Sequence, residues 1–209
     1  MAGSLRDFVN RAMAYCWDER HGYTMGGMGY PDFDCSGFVG RCLYEAGFSY
    51  PSYHVGTMYM KSPLQTAGFN IIYPSSLTEL ENSIKPGDIV VLNHLDWSGG
   101  HTFIYMEDVF AYTDYNADYP TTGTVHKVKI EASSSRGNSN PGDSRKNGTG
   151  AYWEVWCHAY YSLVYGYSPS NPNDEVYIAR WPGGFDGGID ILLTKRILDI
   201  QFKRKFNVC

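Results

Sequence analysis

The sequence predicts an α+β domain in which N-terminal helices pack on a central antiparallel sheet. Apolar residues recur at helical spacing through the first part of the chain, up to about residue 84. Short strand-like runs separated by polar turns follow from Ile89 onward. Helices first and a meandering sheet afterwards are typical of the α+β class. With 209 residues, the chain is long enough for one well-packed domain of this kind.

Four helices are predicted ahead of the sheet. Ser4 can cap the first, because a serine hydroxyl accepts a hydrogen bond from an unsatisfied N–H group of the first turn. Gly47 ends the second, at a position where helices commonly have a glycine. The predicted ranges are 4–19, 35–47, 56–67 and 77–84.

The turn Lys85-Pro86-Gly87-Asp88 introduces the predicted sheet. A polar loop rich in Gly, Ser and Asn interrupts the sheet over residues 133–150, and the tail over residues 189–202 is compatible with either helix or strand. The predicted strands cover residues 89–92, 101–106, 125–132, 153–163 and 175–180. We therefore expect a main domain over residues 1–168 and a C-terminal extension, residues 169–209, packed on the same domain.

Composition excludes several classes of function. A net charge of −5 argues against a general nucleic-acid binder, which needs a basic surface. The N-terminus carries charges and lacks the apolar core of a secretory signal, and no segment approaches the roughly 18 apolar residues of a membrane span. Aromatic residues make up 16% of the chain, which suits either a surface that grips glycans and peptides or a tyrosine-rich core.

The five cysteines indicate synthesis in a reducing compartment, because their number is odd and their spacing is not that of a disulfide scaffold. No CxxC pair is present, and the sequence predicts neither a metal site nor a cofactor. The cysteines are Cys16, Cys35, Cys42, Cys157 and Cys209.

Cys35 is the candidate nucleophile. It follows Asp34, a candidate N-cap, and so lies in the first turn of a helix, where unsatisfied N–H groups and the helix dipole favour a thiolate. The same N–H groups can hold an oxyanion. The neighbouring Asp34 and Ser36 are predicted to belong to the part of the site that binds the oxyanion or the substrate. Ser36 and Gly37 are small, so a substrate backbone could approach closely. The alternative is a structural cysteine buried in the core, which Cys42 fits well.

Five motifs resemble the NlpC-type cysteine peptidases, which hydrolyse peptide bonds of peptidoglycan stems. The first two motifs and the last are similar to the phage lysin branch of this group. The resemblance covers about residues 5–165 and implies a papain-like, NlpC-type fold. In chain order the motifs are His21-Gly22-Tyr23, Asp34-Cys35-Ser36-Gly37-Phe38-Val39 preceded by Pro31-Asp32-Phe33, Pro86-Gly87-Asp88-Ile89, His101-Thr102-Phe103-Ile104-Tyr105 and Ile130-Glu131-Ala132-Ser133.

The resemblance also implies roles for individual residues. His101 is similar in position to the base of the family, with His94 as the rival histidine. A thiolate–imidazolium pair needs a third polar group that orients the ring. Glu131 is the candidate, as acceptor of the Nδ1 proton of His101, although most members have a histidine or an amide at this position. Tyr23 matches a tyrosine whose hydroxyl can bond the substrate or the oxyanion.

The predicted function is hydrolysis of an amide bond in cell-wall stem peptides by a Cys-His-Glu thiol mechanism. The expected partner is bacterial peptidoglycan, and the expected source is a phage or prophage whose endolysin is made in the bacterial cytoplasm without a signal peptide. Endopeptidase and N-acetylmuramoyl-L-alanine amidase activity both stay open, as does the oligomeric state. The alternatives are a secreted antibacterial amidase effector of the same fold, a non-catalytic wall-binding module, and a transglutaminase or acyltransferase.

Overall fold

A computed structural model describes residues 3–17, 21–29, 31–96, 99–106, 128–133, 150–155 and 166–185. The predictions for the polar loop after residue 133, for residues 156–163 and for the tail over 189–202 lie outside these ranges. Within the described ranges the order of elements confirms the α+β class, because the four α-helices precede all but one of the strands.

The first two helices follow the sequence prediction closely. Helix α1 spans Leu5–Trp17, and the Ser4 hydroxyl accepts a hydrogen bond from the N–H group of Asp7 at 3.3 Å. Helix α2 spans Cys35–Glu45 and ends before Gly47, which has a φ of +83°. Such a left-handed backbone favours glycine, so the predicted end of α2 is confirmed.

The predicted helix over residues 56–67 divides into two elements. A 3₁₀ turn spans Thr57–Tyr59, and helix α3 spans Lys61–Thr66. Pro63 accounts for the division, because proline is tolerated in the first turn of an α-helix and not further inside it. The prediction over residues 77–84 is confirmed by helix α4, Leu77–Ser83, whose cap Ser76 accepts from the N–H group of Glu79 at 3.1 Å.

The strands form one six-stranded sheet with antiparallel pairing, in the order β1-β6-β2-β3-β4-β5. The sequence did not predict β1, a three-residue strand paired with β6. Strand β6, from the residues that the sequence analysis assigned to a C-terminal extension, lies between β1 and β2 inside the sheet. The strands are β1 Asn70–Ile72, β2 Ile89–His94, β3 Gly100–Met106, β4 Val128–Ser133, β5 Gly150–Val155 and β6 Asp174–Arg180.

Alternate residues of the strands point to two core clusters. Ile104 and its register partner Ile130 belong to the larger cluster, together with Phe8 of α1 and Phe38 of α2. Phe103, the next residue along β3, belongs to the second cluster with Leu80 of α4. This period of two assigns His101 to the same sheet face as Phe103, and Glu131 to the face opposite that of Ile130. No helix of the described segments has the length and apolarity that a membrane crossing requires.

Candidate active site

Cys35 is the first residue of α2 and is 6% exposed. Asp34 caps this helix with extended backbone, and its Oδ1 accepts a hydrogen bond from the N–H group of Gly37 at 2.6 Å. The predicted N-cap is therefore confirmed. Because the Asp34 carboxylate binds the N–H group of Gly37, that group is not available for an oxyanion, and the N–H group of Cys35 itself becomes the candidate donor.

The Asp34 carboxylate also ties the loop before α2 to the loop after it. Its Oδ2 accepts from the N–H group of Gly26 and from Nε2 of His54, each at 2.7 Å. The hydroxyl of Ser36 donates to Oδ1 at 3.0 Å and lies 3.2 Å from Nε2 of His54. The side chains of Asp34 and Ser36 are thus held within the protein, 3% exposed each. Sequence reasoning missed His54, since nothing in its local sequence indicates a contact twenty residues away.

The small size of Gly37 has a different role from the one predicted. A Cβ atom on this residue would lie 1.8 Å from the carbonyl oxygen of Gly27. The same carbonyl accepts a hydrogen bond from the N–H group of Asp34 at 3.0 Å. The glycine-rich loop therefore packs directly on the start of α2 and requires a glycine at position 37, while the approach of a substrate backbone stays a prediction.

We expect Gly37→Ala to destabilise the protein by about 1–3 kcal/mol, because the added methyl group must displace backbone that holds the nucleophile's helix. Gly56→Ala is the matched control, since a Cβ atom there meets nothing within 4 Å. Urea unfolding of both variants measures the difference. Equal free energies of unfolding for the two variants would contradict this packing.

His101, in the first residues of β3, joins Cys35 to Glu131 of β4. Nε2 of His101 and Oε2 of Glu131 are 2.7 Å apart, and the side chains are 16% and 0% exposed. Cys35 also acts on this ring, as one of the groups that raise the pKa of His101. Sequence analysis expected Glu131 to accept the Nδ1 proton. In the structure Nε2 is the ring nitrogen that bonds Glu131, so Nδ1 is the nitrogen that can face the thiol.

The electrostatics of this chain favour a charged histidine. Burial alone disfavours the imidazolium, but the Glu131 carboxylate and the hydrogen bonds to Cys35 and Glu131 outweigh it and raise the pKa of His101 to about 10. A protonated ring can stabilise a thiolate and later give up a proton, which is the combination that thiol acyl transfer requires.

Tyr23 lies near this pair and is half-buried, with its backbone bridged to Phe33. Burial, and then the negative charges of Cys35 and Asp34, raise the pKa of the Tyr23 phenol well above its usual range. The hydroxyl therefore keeps its proton and can act as a hydrogen-bond donor beside the nucleophile.

His94, the rival base, belongs to a different cluster. Its Nδ1 lies 2.6 Å from Oδ1 of Asp174, and its ring stacks on Tyr167 with centroids 4.0 Å apart. Burial, and then the charges of Cys35 and Asp174, raise the pKa of Tyr167. Sequence reasoning missed Tyr167 and Asp174, because they follow the segment in which the motifs were found.

We expect His94→Ala to lower stability by about 1–3 kcal/mol, because buried Asp174 loses a hydrogen-bond partner, while Cys35 keeps its reactivity. Chemical unfolding, together with alkylation of Cys35 by iodoacetamide, measures the two effects separately. Loss of Cys35 reactivity in a folded His94→Ala protein would instead make His94 part of the nucleophile's machinery.

Comparison with known proteins adds one finding. The model of the NlpC/P60 family matches residues 20–140, which is more than half of the chain. Cys35, His101 and Glu131 all lie within the matched range, whereas Tyr167 and Asp174 lie beyond it. No curated protein and no solved structure matches the chain.

Proposed function

This chain belongs to the NlpC/P60 family, and we propose that it cleaves an amide bond of cell-wall stem peptides by a Cys-His-Glu thiol mechanism. The family is one of cysteine peptidases that hydrolyse peptidoglycan. One observation carries the proposal for this chain. Nε2 of His101 lies 2.7 Å from the buried carboxylate of Glu131, and Cys35 is among the groups that raise the pKa of the same ring.

In the proposed mechanism the Cys35 thiolate attacks the carbonyl carbon of the scissile amide. The N–H group of Cys35 and the hydroxyl of Tyr23 stabilise the oxyanion that forms. His101 then transfers its Nδ1 proton to the amine as the C–N bond breaks, which leaves a thioester on Cys35. Water gives a proton to the now neutral His101 and attacks the thioester; the C–S bond then breaks, which releases the carboxylic acid and restores the Cys35 thiolate beside the imidazolium.

Glu131 has two effects in this sequence. Its hydrogen bond to Nε2 fixes the plane of the ring, so that Nδ1 faces the thiol. Its negative charge stabilises the imidazolium, which is the form that both holds the thiolate and protonates the leaving amine.

We place the enzyme in the phage lysin branch, as the endolysin of a phage or prophage, made in the cytoplasm of the bacterial host and acting on the wall. Two features support this source. Glu131 stands where most members have a histidine or an amide, and His21-Gly22-Tyr23 before the nucleophile is similar to the same branch.

Digestion of purified cell walls of known composition tests the proposed activity. We expect wild-type protein to clear a wall suspension and to release fragments with one new amine and one new carboxylate per cleavage, with no new reducing sugar ends. Mass spectrometry of the fragments identifies the bond, and so decides between a stem endopeptidase and a muramoyl amidase. Binding to walls without release of fragments would point to a wall-binding module, and an added amine recovered in the products would point to an acyltransferase.

A further inference from the structure

Lys129 is a fully buried lysine two residues before Glu131 on β4. Lysine is among the residues least often buried without a partner of opposite charge. Its Nζ lies 4.0 Å from Oε2 of Glu131 and 5.2 Å from the centroid of the Phe103 ring. Strand alternation keeps Lys129 and Glu131 on the same face of the sheet. The ammonium group therefore belongs to the surroundings of the site, although the mechanism above does not use it.

Oε2 of Glu131 is approached by two cations, Nε2 of His101 and Nζ of Lys129. In the reactive state the charges alternate along the chain: thiolate, imidazolium, carboxylate and ammonium. The first three sum to −1, and Lys129 brings the sum of these four groups to zero; the buried Asp34 carboxylate next to Cys35 has a separate partner in Nε2 of His54. A net charge in a buried site is costly, since little water solvates it.

We propose that Lys129 is a positioning residue that neutralises the buried Cys35–His101–Glu131 chain and thereby preserves the thiolate–imidazolium pair at mildly acidic pH. The inference rests on the proposed function of this site. Without Lys129 the site holds an excess negative charge, and the uptake of one proton relieves it. The thiolate is the reactive group that this proton removes, so reactivity is lost at a higher pH.

The other ionisable groups around Lys129 come from the strands on either side. On β3, Tyr105 is its register partner and is fully buried. On β5, Glu154 occupies the register position opposite Lys129. On the other face of β4, Ile130 shares the larger apolar cluster with residues of α1 and α2. Glu154 is the acidic residue at this register position, and it therefore needs a variant of its own.

The test is the alkylation rate of Cys35 by iodoacetamide, followed by mass spectrometry across pH 5 to 9 on the full chain. For Lys129→Met we expect the acidic limb of the plot of alkylation rate against pH to move to a higher pH by about one unit. At a pH below that limb the reaction is then roughly tenfold slower, since each pH unit is a factor of ten in proton affinity. Lys129→Arg should restore the wild-type profile. Lys61→Met is the matched control, because Lys61 pairs with Glu175 instead of the site. Alkylation needs no wall substrate, so its result does not depend on the bond that the enzyme cleaves.

Three outcomes overturn the proposal. If Lys129→Met folds with a lower melting temperature and the acidic limb of its alkylation rate stays unchanged, then Lys129 has only a structural role. A shift by Lys129→Met that disappears when Glu154 is also replaced by Gln would make Glu154, and not Glu131, the anion that Lys129 neutralises. Should Lys129→Met fail to fold, Lys129→Met/Glu131→Gln removes both charges. Folding of this double variant supports charge balance with Glu131, and its failure to fold overturns it.

Discussion

We expect Cys35→Ala to abolish wall hydrolysis, with kcat/KM lowered by roughly a thousandfold or more, while the protein stays folded. The reason is that the proposed thioester forms on the Cys35 sulfur, and loss of a nucleophile typically costs several orders of magnitude. The substitution is small and lies at the start of α2, where Asp34 still provides the cap. The loss of turbidity of a wall suspension measures activity, and a melting curve measures the folded state.

Cys42→Ala is the matched control for this prediction. Cys42 lies in the same helix and is fully buried in the larger apolar cluster. We expect its removal to cost stability through a small cavity and to leave the chemistry largely intact. Wall clearing by Cys35→Ala at more than a few per cent of the wild-type rate would contradict the assignment of Cys35 as the nucleophile.

Glu131→Ala should lower kcat/KM by roughly 10- to 1000-fold, or about 1.4–4 kcal/mol of transition-state stabilisation. This variant loses both the charge and the hydrogen bond that orients the ring. Glu131→Gln should be less damaging, because an amide oxygen can still accept the proton of Nε2. Kinetics of both variants from pH 5 to 10, beside their melting curves, separate the two contributions.

The pH dependence of kcat/KM shows in which direction Glu131 shifts the pKa of His101. The Glu131 carboxylate is among the causes that raise the pKa of His101 to about 10, against the opposing effect of burial. Its removal therefore lowers the pKa of His101, and the imidazolium loses its proton at a lower pH. The alkaline limb of kcat/KM should move toward neutral in both variants. Activities within twofold of wild type and an unmoved alkaline limb would remove Glu131 from the site.

The sequence predicted most of the backbone that positions the site. Ser4 and Gly47 mark the ends of two helices by local capping chemistry, and both are found in those roles. Strand β1 was missed because three residues are too few to show a period of two. The predicted helix over residues 56–67 was too long, because Pro63 limits where a helix can begin.

The candidate site was predicted where the chemistry is local, and missed where it depends on tertiary contacts. Cys35, His101 and Glu131 were identified from motifs and are brought together. His54 was not identified, since only the fold brings it near its partner Asp34. Lys129 was not identified, because its complete burial beside Glu131 does not follow from the local sequence. The ring nitrogen that meets Glu131 was also predicted wrongly, because local sequence does not fix the orientation of an imidazole.

The most direct test of the account is a search for the acyl-enzyme. Wild-type protein is mixed with soluble wall fragments, quenched in acid within seconds and digested for peptide mass spectrometry. We predict an adduct of the acyl part of the stem peptide on the peptide that contains Cys35, removable by hydroxylamine and absent from Cys35→Ala. Cleavage of the same fragments at an undiminished rate by Cys35→Ala, or an adduct on another residue, would contradict the central claim that Cys35 carries the reaction.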